Sequence, residues 1–150
     1  AWYRMSEWLS TFLPTRAVSD AEKIAQYYRE TYNADTTFIP YGAPVGKVGT
    51  DHVLRRLGLE RGRYFLYVTR FEPENNPLLV RQAFETLDTD VQLALIGDAP
   101  YAHDYIRQVR DTRNPRVLLP GAIYGQGYHE LQSHCLAYVH ATEVGGTHPA

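Results

Sequence analysis

Apolar residues in the second half of the chain gather in short runs without polar alternation. Tyr64-Phe65-Leu66-Tyr67-Val68 is the clearest, and an apolar run of that length predicts a strand buried on both faces. Residues 91–96, 116–119 and 136–140 predict three more strands. Between the runs the period becomes helical. Asn76-Pro77 supplies an N-cap and a first-turn proline, after which Leu79, Val80, Ala83, Phe84 and Leu87 form one inward stripe. Residues 101–112 predict the next amphipathic helix, residues 128–133 another, and residues 51–57 a short one ahead of the first strand. Strands that each lead into a helix predict a Rossmann-like α/β fold, with a parallel sheet covered by helices on both faces.

The first third reads differently. Ser19-Asp20-Ala21-Glu22 has the form of a capping box, so a helix is expected to start there and run to Asn33, with Ile24, Tyr27, Tyr28 and Thr31 or Tyr32 on one half-apolar face. Residues 36–39 predict a short strand stopped by Pro40 and Gly42. Residues 41–50, rich in Gly and Pro, suit a hinge. The expected division is therefore a helix–strand segment at 1–40, a linker at 41–50 and the α/β domain at 51–150. The tyrosine face and the 36–39 strand need cover, so this segment is expected to pack on a second copy of the chain or on the α/β domain.

Composition narrows the function. The 150 residues are 44% hydrophobic, enough for one substantial core, and carry 15 basic and 17 acidic side chains for a net charge of −2. The charges are mixed along the chain, which leaves no basic stripe for a nucleic acid. The single cysteine, Cys135, lies in an apolar stretch and reads as a reduced thiol. No apolar run approaches the roughly 20 residues of a spanning helix, and residues 1–20 lack signal-peptide features. A cytoplasmic location is expected. The chain starts at Ala1 and stops in Gly-Gly-Thr-His-Pro-Ala, so a piece of a larger protein is also expected.

Ligands of parallel α/β sheets bind beyond the carboxyl ends of the strands, which directs attention to loops 69–76, 97–101, 120–127 and 141–148. They hold Arg70, Glu72 and Asn75; Gly97 and Asp98; Gly121 and Gly125; and Glu143, Gly145, Gly146 and Thr147. Glycines admit a ligand to the main chain, and a Gly-Gly-Thr stretch before a helix aims amides at a phosphate, so an anionic ligand is expected. The same residues also serve as ordinary turn formers, and Asp98 reads as a cap for the next helix. A Gly-x-Gly-x-x-Gly fingerprint and a P-loop are both absent, which removes support for NAD binding and ATP hydrolysis. His129, His134 and His140 have poor spacing for one metal and read as non-ligands.

Residues 67–76, with Arg70 and then Pro73-Glu74-Asn75, are similar to the Val-Gly-Arg and Pro-Glu-Lys loop of the family-four retaining glycosyltransferases of GT-B type. Ile96-Gly97-Asp98-Ala99-Pro100 resembles that family's Val-Gly-Asp-Gly-Pro loop, and Leu119-Pro120-Gly121-Ala122-Ile123 with Glu130-Leu131 resembles its Phe-x-Gly-x-Val stretch and later Glu-Leu. Residues 139–146 stand where the family has its Pro-Ser-x-x-Glu loop. Upstream, Ala17-Val18-Ser19 and Ile39-Pro40-Tyr41-Gly42-Ala43 are similar to segments that close its acceptor-side domain. The match runs through nearly the whole chain.

The resemblance implies that residues 1–40 end an acceptor-side domain and that 51–150 form most of the donor-side, C-terminal domain. It implies transfer of a sugar from a nucleoside diphosphate-sugar to a glycan or lipid-linked acceptor with retention, as in polysaccharide biosynthesis. Arg70 would meet the diphosphate, a role suited to its planar fork of donors. Asn75 stands where the family has lysine, which removes one positive charge. Gly97 and Gly121 would give the nucleotide room, Ile123 and Tyr124 would lie near the base, and the Gly145-Gly146-Thr147 amides would face phosphate. Tyr124 reads equally well as a surface-packing tyrosine. Glu143 would be the catalytic-site acid that holds sugar hydroxyls, its family partner falling beyond residue 150. No cofactor or metal is implied, the donor being a substrate. Peripheral membrane association and self-association stay open, and the 150 residues alone are expected to be inactive. The alternatives are a noncatalytic Rossmann-like module, which the missing lysine favours, and a GT-B sugar-nucleotide epimerase.

Overall fold

A computed structural model describes residues 2–42 and 46–143, and the chain divides into two compact units whose boundary falls between residues 44 and 45. The first unit contains α1 (Trp2–Leu9), β1 (Val18–Ser19), α2 (Glu22–Tyr32) and β2 (Thr37–Phe38), with β1 and β2 paired in parallel. Sequence periodicity missed α1. Its Glu7 carboxylate accepts hydrogen bonds from Tyr27 Oη at 3.2 Å and Tyr32 Oη at 2.8 Å, so the tyrosine face of α2 finds a partner inside its own unit. The acceptor contact of Glu7 also pushes the Tyr32 hydroxyl pKa upward.

The expected capping box does not form. Helix α2 starts at Glu22 with Ala21 at its cap, whereas Ser19 is buried in β1 and shares a 2.9 Å hydrogen bond with the Thr36 hydroxyl. A cross-strand partner has replaced the helix amide as the destination of that hydroxyl.

The second unit contains α3 (His52–Leu57), β3 (Tyr64–Val68), a 3-10 turn (Pro73–Asn75), α4 (Pro77–Glu85), β4 (Gln92–Ile96), α5 (His103–Arg110), β5 (Val117–Gly121), α6 (Gln126–His134) and β6 (Ala137–Tyr138). All four strands are parallel, in the order β5-β4-β3-β6. Pleating sorts their side chains. Phe65, Tyr67, Leu93, Leu95, Val117, Leu119 and Val139 face a core completed by Phe84 of α4 and by Ile106 and Val109 of α5. Tyr64, Leu66, Val68, Ala94, Ile96 and Leu118 face the other core with Leu54 of α3 and Leu131 of α6. This is the expected parallel sheet with helices on both faces. Pro120, which has no amide to donate, sits on the edge strand β5.

The end of the expected linker is fastened to this unit. Val48 N donates to Ser133 Oγ at 2.9 Å, and Thr50 donates to Glu130 Oε1 at 2.6 Å. Glu130 Oε2 also accepts the Val53 amide at 2.7 Å, so this buried carboxylate from α6 serves the first turn of α3. The Thr50 hydroxyl and the Val53 amide hold the Glu130 pKa below its ordinary value. His134 Nε2 lies 2.9 Å from the Thr50 carbonyl. Cys135 is half-buried; desolvation pushes its thiol pKa up. Among the described residues no helix is long and apolar enough to cross a membrane, and no group of three His, Cys, Asp or Glu side chains is placed to hold a metal.

Candidate functional site

Strand order decides which loops meet. Chain order among the four strands reverses direction at β3, whose neighbours are β4 on one side and β6 on the other. Such a switch point opens a crevice at the carboxyl ends of the two diverging strands, here β3 and β6. The loop after β3 carries Arg70, Glu72, Asn75 and Asn76, and the loop after β6 carries Thr142 and Glu143.

These two loops are joined. Asn76 Nδ2 donates to the Ala141 carbonyl at 2.9 Å and to Glu143 Oε1 at 3.1 Å. The Glu143 amide donates to the Glu74 carbonyl at 3.0 Å. Below them Tyr67 Oη donates to the Asn75 carbonyl and lies 3.5 Å from Thr142 Oγ1. Sequence reading took Asn76 as a helix cap, but it makes no side-chain cap bond and has φ 53°, a left-handed conformation that asparagine tolerates. Because Pro77 follows, the first helical position has no amide to satisfy, and the Asn76 side chain is spent across the crevice.

Arg70 is exposed on 73% of its side chain, with Nε 3.5 Å from Glu72 Oε2, so its guanidinium is open to an incoming anion. Glu72 Oε1 accepts from Tyr101 Oη, which raises the Tyr101 pKa. Asn75 turns inward. It is buried, and its Nδ2 donates to the Arg70 carbonyl at 3.1 Å and to Glu72 Oε2 at 3.3 Å, so it braces the Arg70 loop. Glu72 stood among the loop candidates without an assigned role, and Asn76 and Tyr101 were not singled out as site residues from sequence. The Glu-Pro-Glu-Asn-Asn stretch was the available signal; its Pro-Glu-Asn resembles the family's Pro-Glu-Lys loop, and Asn76 reads from sequence as a helix cap.

The other candidates follow β4 and β5. Gly97 has φ 151°, and a Cβ there would stand 1.7 Å from the Thr69 carbonyl oxygen; the glycine permits two loops to touch. Asp98 does not cap α5, which begins at His103. It accepts the Ala99 amide at 2.9 Å instead. Gly121 ends β5, Ile123 packs against the α3/α6 core, and Tyr124 is 84% exposed. Of the pair expected to lie near a base, Ile123 is partly buried and Tyr124 is the more exposed. Gly145, Gly146 and Thr147 lie outside the described residues.

By sequence, the chain matches no described family and no curated protein. By structure, Anabaena Alr3699/HepE in complex with UDP and glucose matches 93% of the chain at a TM-score of 0.76 and 16% identity, over 41% of its own length. HepE in complex with UDP-glucose gives 0.73 at 17% identity, over 93% of this chain and 41% of that one. The UDP-N-acetylglucosamine 2-epimerase from Rickettsia bellii gives 0.59 at 12% identity, over 90% of this chain and 38% of that one. The chain thus spans about two fifths of the structures it matches. At these identities the likeness establishes fold, and by that fold the chain carries the GT-B type of α/β architecture expected from its resemblance to the glycosyltransferases.

Proposed function

We propose that the chain is part of a sugar-nucleotide-dependent GT-B glycosyltransferase and that residues 46–143 supply most of its donor site. The observation that carries this reading is the order of the loops along one sheet edge. Tyr124 follows β5, Gly97 follows β4, Arg70 follows β3 and Glu143 follows β6. Neighbouring strands are about 4.8 Å apart, so the row spans about 14 Å. An extended nucleoside diphosphate-sugar laid along it would put its base near Tyr124, its diphosphate at Arg70 and its sugar at Glu143. UDP and UDP-glucose, the ligands of the matched HepE structures, are the first donors to test.

In this reading the Arg70 guanidinium balances charge on the leaving diphosphate without a bound metal, and a carboxylate at Glu143 orients sugar hydroxyls. Transfer with retention to a glycan or lipid-linked acceptor, by a cytoplasmic enzyme of polysaccharide assembly, belongs to the whole protein. The 150 residues alone bind donor and transfer nothing, since a second domain has to hold the acceptor against the anomeric carbon. Titrating UDP into the chain, followed by NMR, tests the reading. Saturation is expected near the millimolar range, about 4 kcal/mol, and Arg70→Ala should weaken it about tenfold or more through loss of a charge-assisted contact. Identical titrations of both proteins would remove Arg70 from the site. A second reading, sugar-nucleotide epimerisation, is supported by the likeness to the Rickettsia bellii enzyme. Product analysis on the full-length protein separates the two.

A further inference from the structure

We infer that Asn76 is a positioning residue for the sugar end of the donor, acting through Glu143; this rests on the donor-site reading above. The left-handed backbone at Asn76 is the first observation. Among the described residues only Asn33 shares that conformation without being glycine, and Asn33 ends a helix, where it is ordinary. Asn76 closes the 3-10 turn Pro73–Asn75, its amide donating to the Pro73 carbonyl, and at the same time begins α4. Its side chain bonds the loop after β6 and makes no bond to the α4 amides.

Both hydrogens of its amide are used there. One goes to the Ala141 carbonyl and fixes the path of the loop, and the other goes to Glu143 Oε1 and fixes the carboxylate. The Glu143 amide is held from the same direction by the Glu74 carbonyl. Backbone and side chain of Glu143 are therefore both anchored to residues 74–76. With Oε1 engaged by Asn76, Oε2 is the oxygen offered to a sugar hydroxyl. A carboxylate held in one orientation before the ligand arrives loses less freedom on binding than one that must be ordered by it. Asn76 should consequently affect recognition of the sugar and leave recognition of the nucleotide alone.

Two variants preserve the backbone. Asn76→Gly keeps access to the left-handed region and deletes the amide, and Asn76→Asp keeps it while setting a second carboxylate against Glu143. Dissociation constants for UDP and for UDP-glucose, measured by NMR titration of the 150-residue chain, give the first readout. For Asn76→Gly, UDP should change by less than about twofold and UDP-glucose should weaken about five- to tenfold, with a larger loss for Asn76→Asp. Parallel weakening of both ligands would overturn the proposal, because a residue that merely supports the fold would act on both. Hydrogen exchange without ligand gives the second readout. The Glu143 amide should exchange faster in both variants while amides of β3 and β4 keep their protection; an unchanged Glu143 rate would also overturn it. Wild-type chain that binds neither UDP nor UDP-glucose would refute the donor-site reading and the sugar role with it, and the exchange data would still decide whether Asn76 anchors Glu143.

Discussion

Residues 2–42 and residues 46–143 both alternate helices with parallel strands, yet in the first unit Ser19 is the only buried residue, and in the second two cores lie on opposite faces of the sheet. Trp2, Trp8, Phe12, Ile24, Tyr27 and Ile39 of the first unit are all exposed. The difference is one of layers. Two strands of two residues each cannot shield helices packed on them, whereas four parallel strands sandwiched between helices bury most side chains of the two inner strands, β3 and β4. A single β-α-β step has the local pattern of the fold without the neighbours that would give it an interior.

The largest test of that contrast is a pair of truncations. Leu95→Ala, in the fully buried middle of β4, should destabilise the chain by about 2–5 kcal/mol. Ile24→Ala, 39% exposed on α2, should cost under about 0.5 kcal/mol. Urea unfolding measures both, and equal losses would mean that the first unit has an interior after all. Next in size is Gly97→Ala, which should cost about 1–3 kcal/mol by forcing the β3 and β4 loops apart. Calorimetry on ligand-free protein checks it; an unchanged melting temperature would return Gly97 to a ligand role.

A pH profile sharpens the comparison further. Glu130 has a depressed folded pKa because Thr50 and Val53 donate to its carboxylate. Its contribution is therefore full above the unfolded carboxylate pKa and is lost as pH falls through the lower folded value. Glu130→Gln should be less stable than wild type near neutrality, and the gap should close in acid; a constant gap across pH would remove the charge from the explanation. The smallest effects come from two tyrosines. Tyr64→Phe removes a buried 2.7 Å bond to the Leu131 carbonyl and should cost about 1 kcal/mol. Tyr32→Phe, which loses the bond to Glu7 in the open unit, should fall within about 0.5 kcal/mol of wild type by the same urea measurement.

Legibility followed burial in the same way. The run Tyr64-Phe65-Leu66-Tyr67-Val68 marks β3 residue for residue, because a strand covered on both faces has no polar side to blur its limits. Helix α1 went unread in a segment where no helical residue is buried and no stripe is enforced. The short polar side chains misled. Ser19, Asn76 and Asp98 each suit a helix cap by type; Ser19 and Asn76 instead bond groups distant in sequence, the Thr36 hydroxyl and the β6 loop, and Asp98 turns back to the amide of its neighbour Ala99. Asn75 was legible as a missing cation, but not as a buried brace for the Arg70 loop.

By itself the sequence determined the kind of layer this protein builds, since runs of apolar residues at strand length, separated by helical stripes, leave few alternatives to a parallel sheet covered on both faces. It also placed Arg70 and Glu143 on loops at the carboxyl ends of strands. Only the tertiary structure decided that the strands run β5-β4-β3-β6, and with that order that residues 70–76 meet residues 141–143. Side-chain pattern fixes which face of a strand is buried, but it carries little information about which strand lies beside it. Adjacency is chosen by packing over the whole sheet, and it is adjacency that brings an arginine, an asparagine and a glutamate to one crevice.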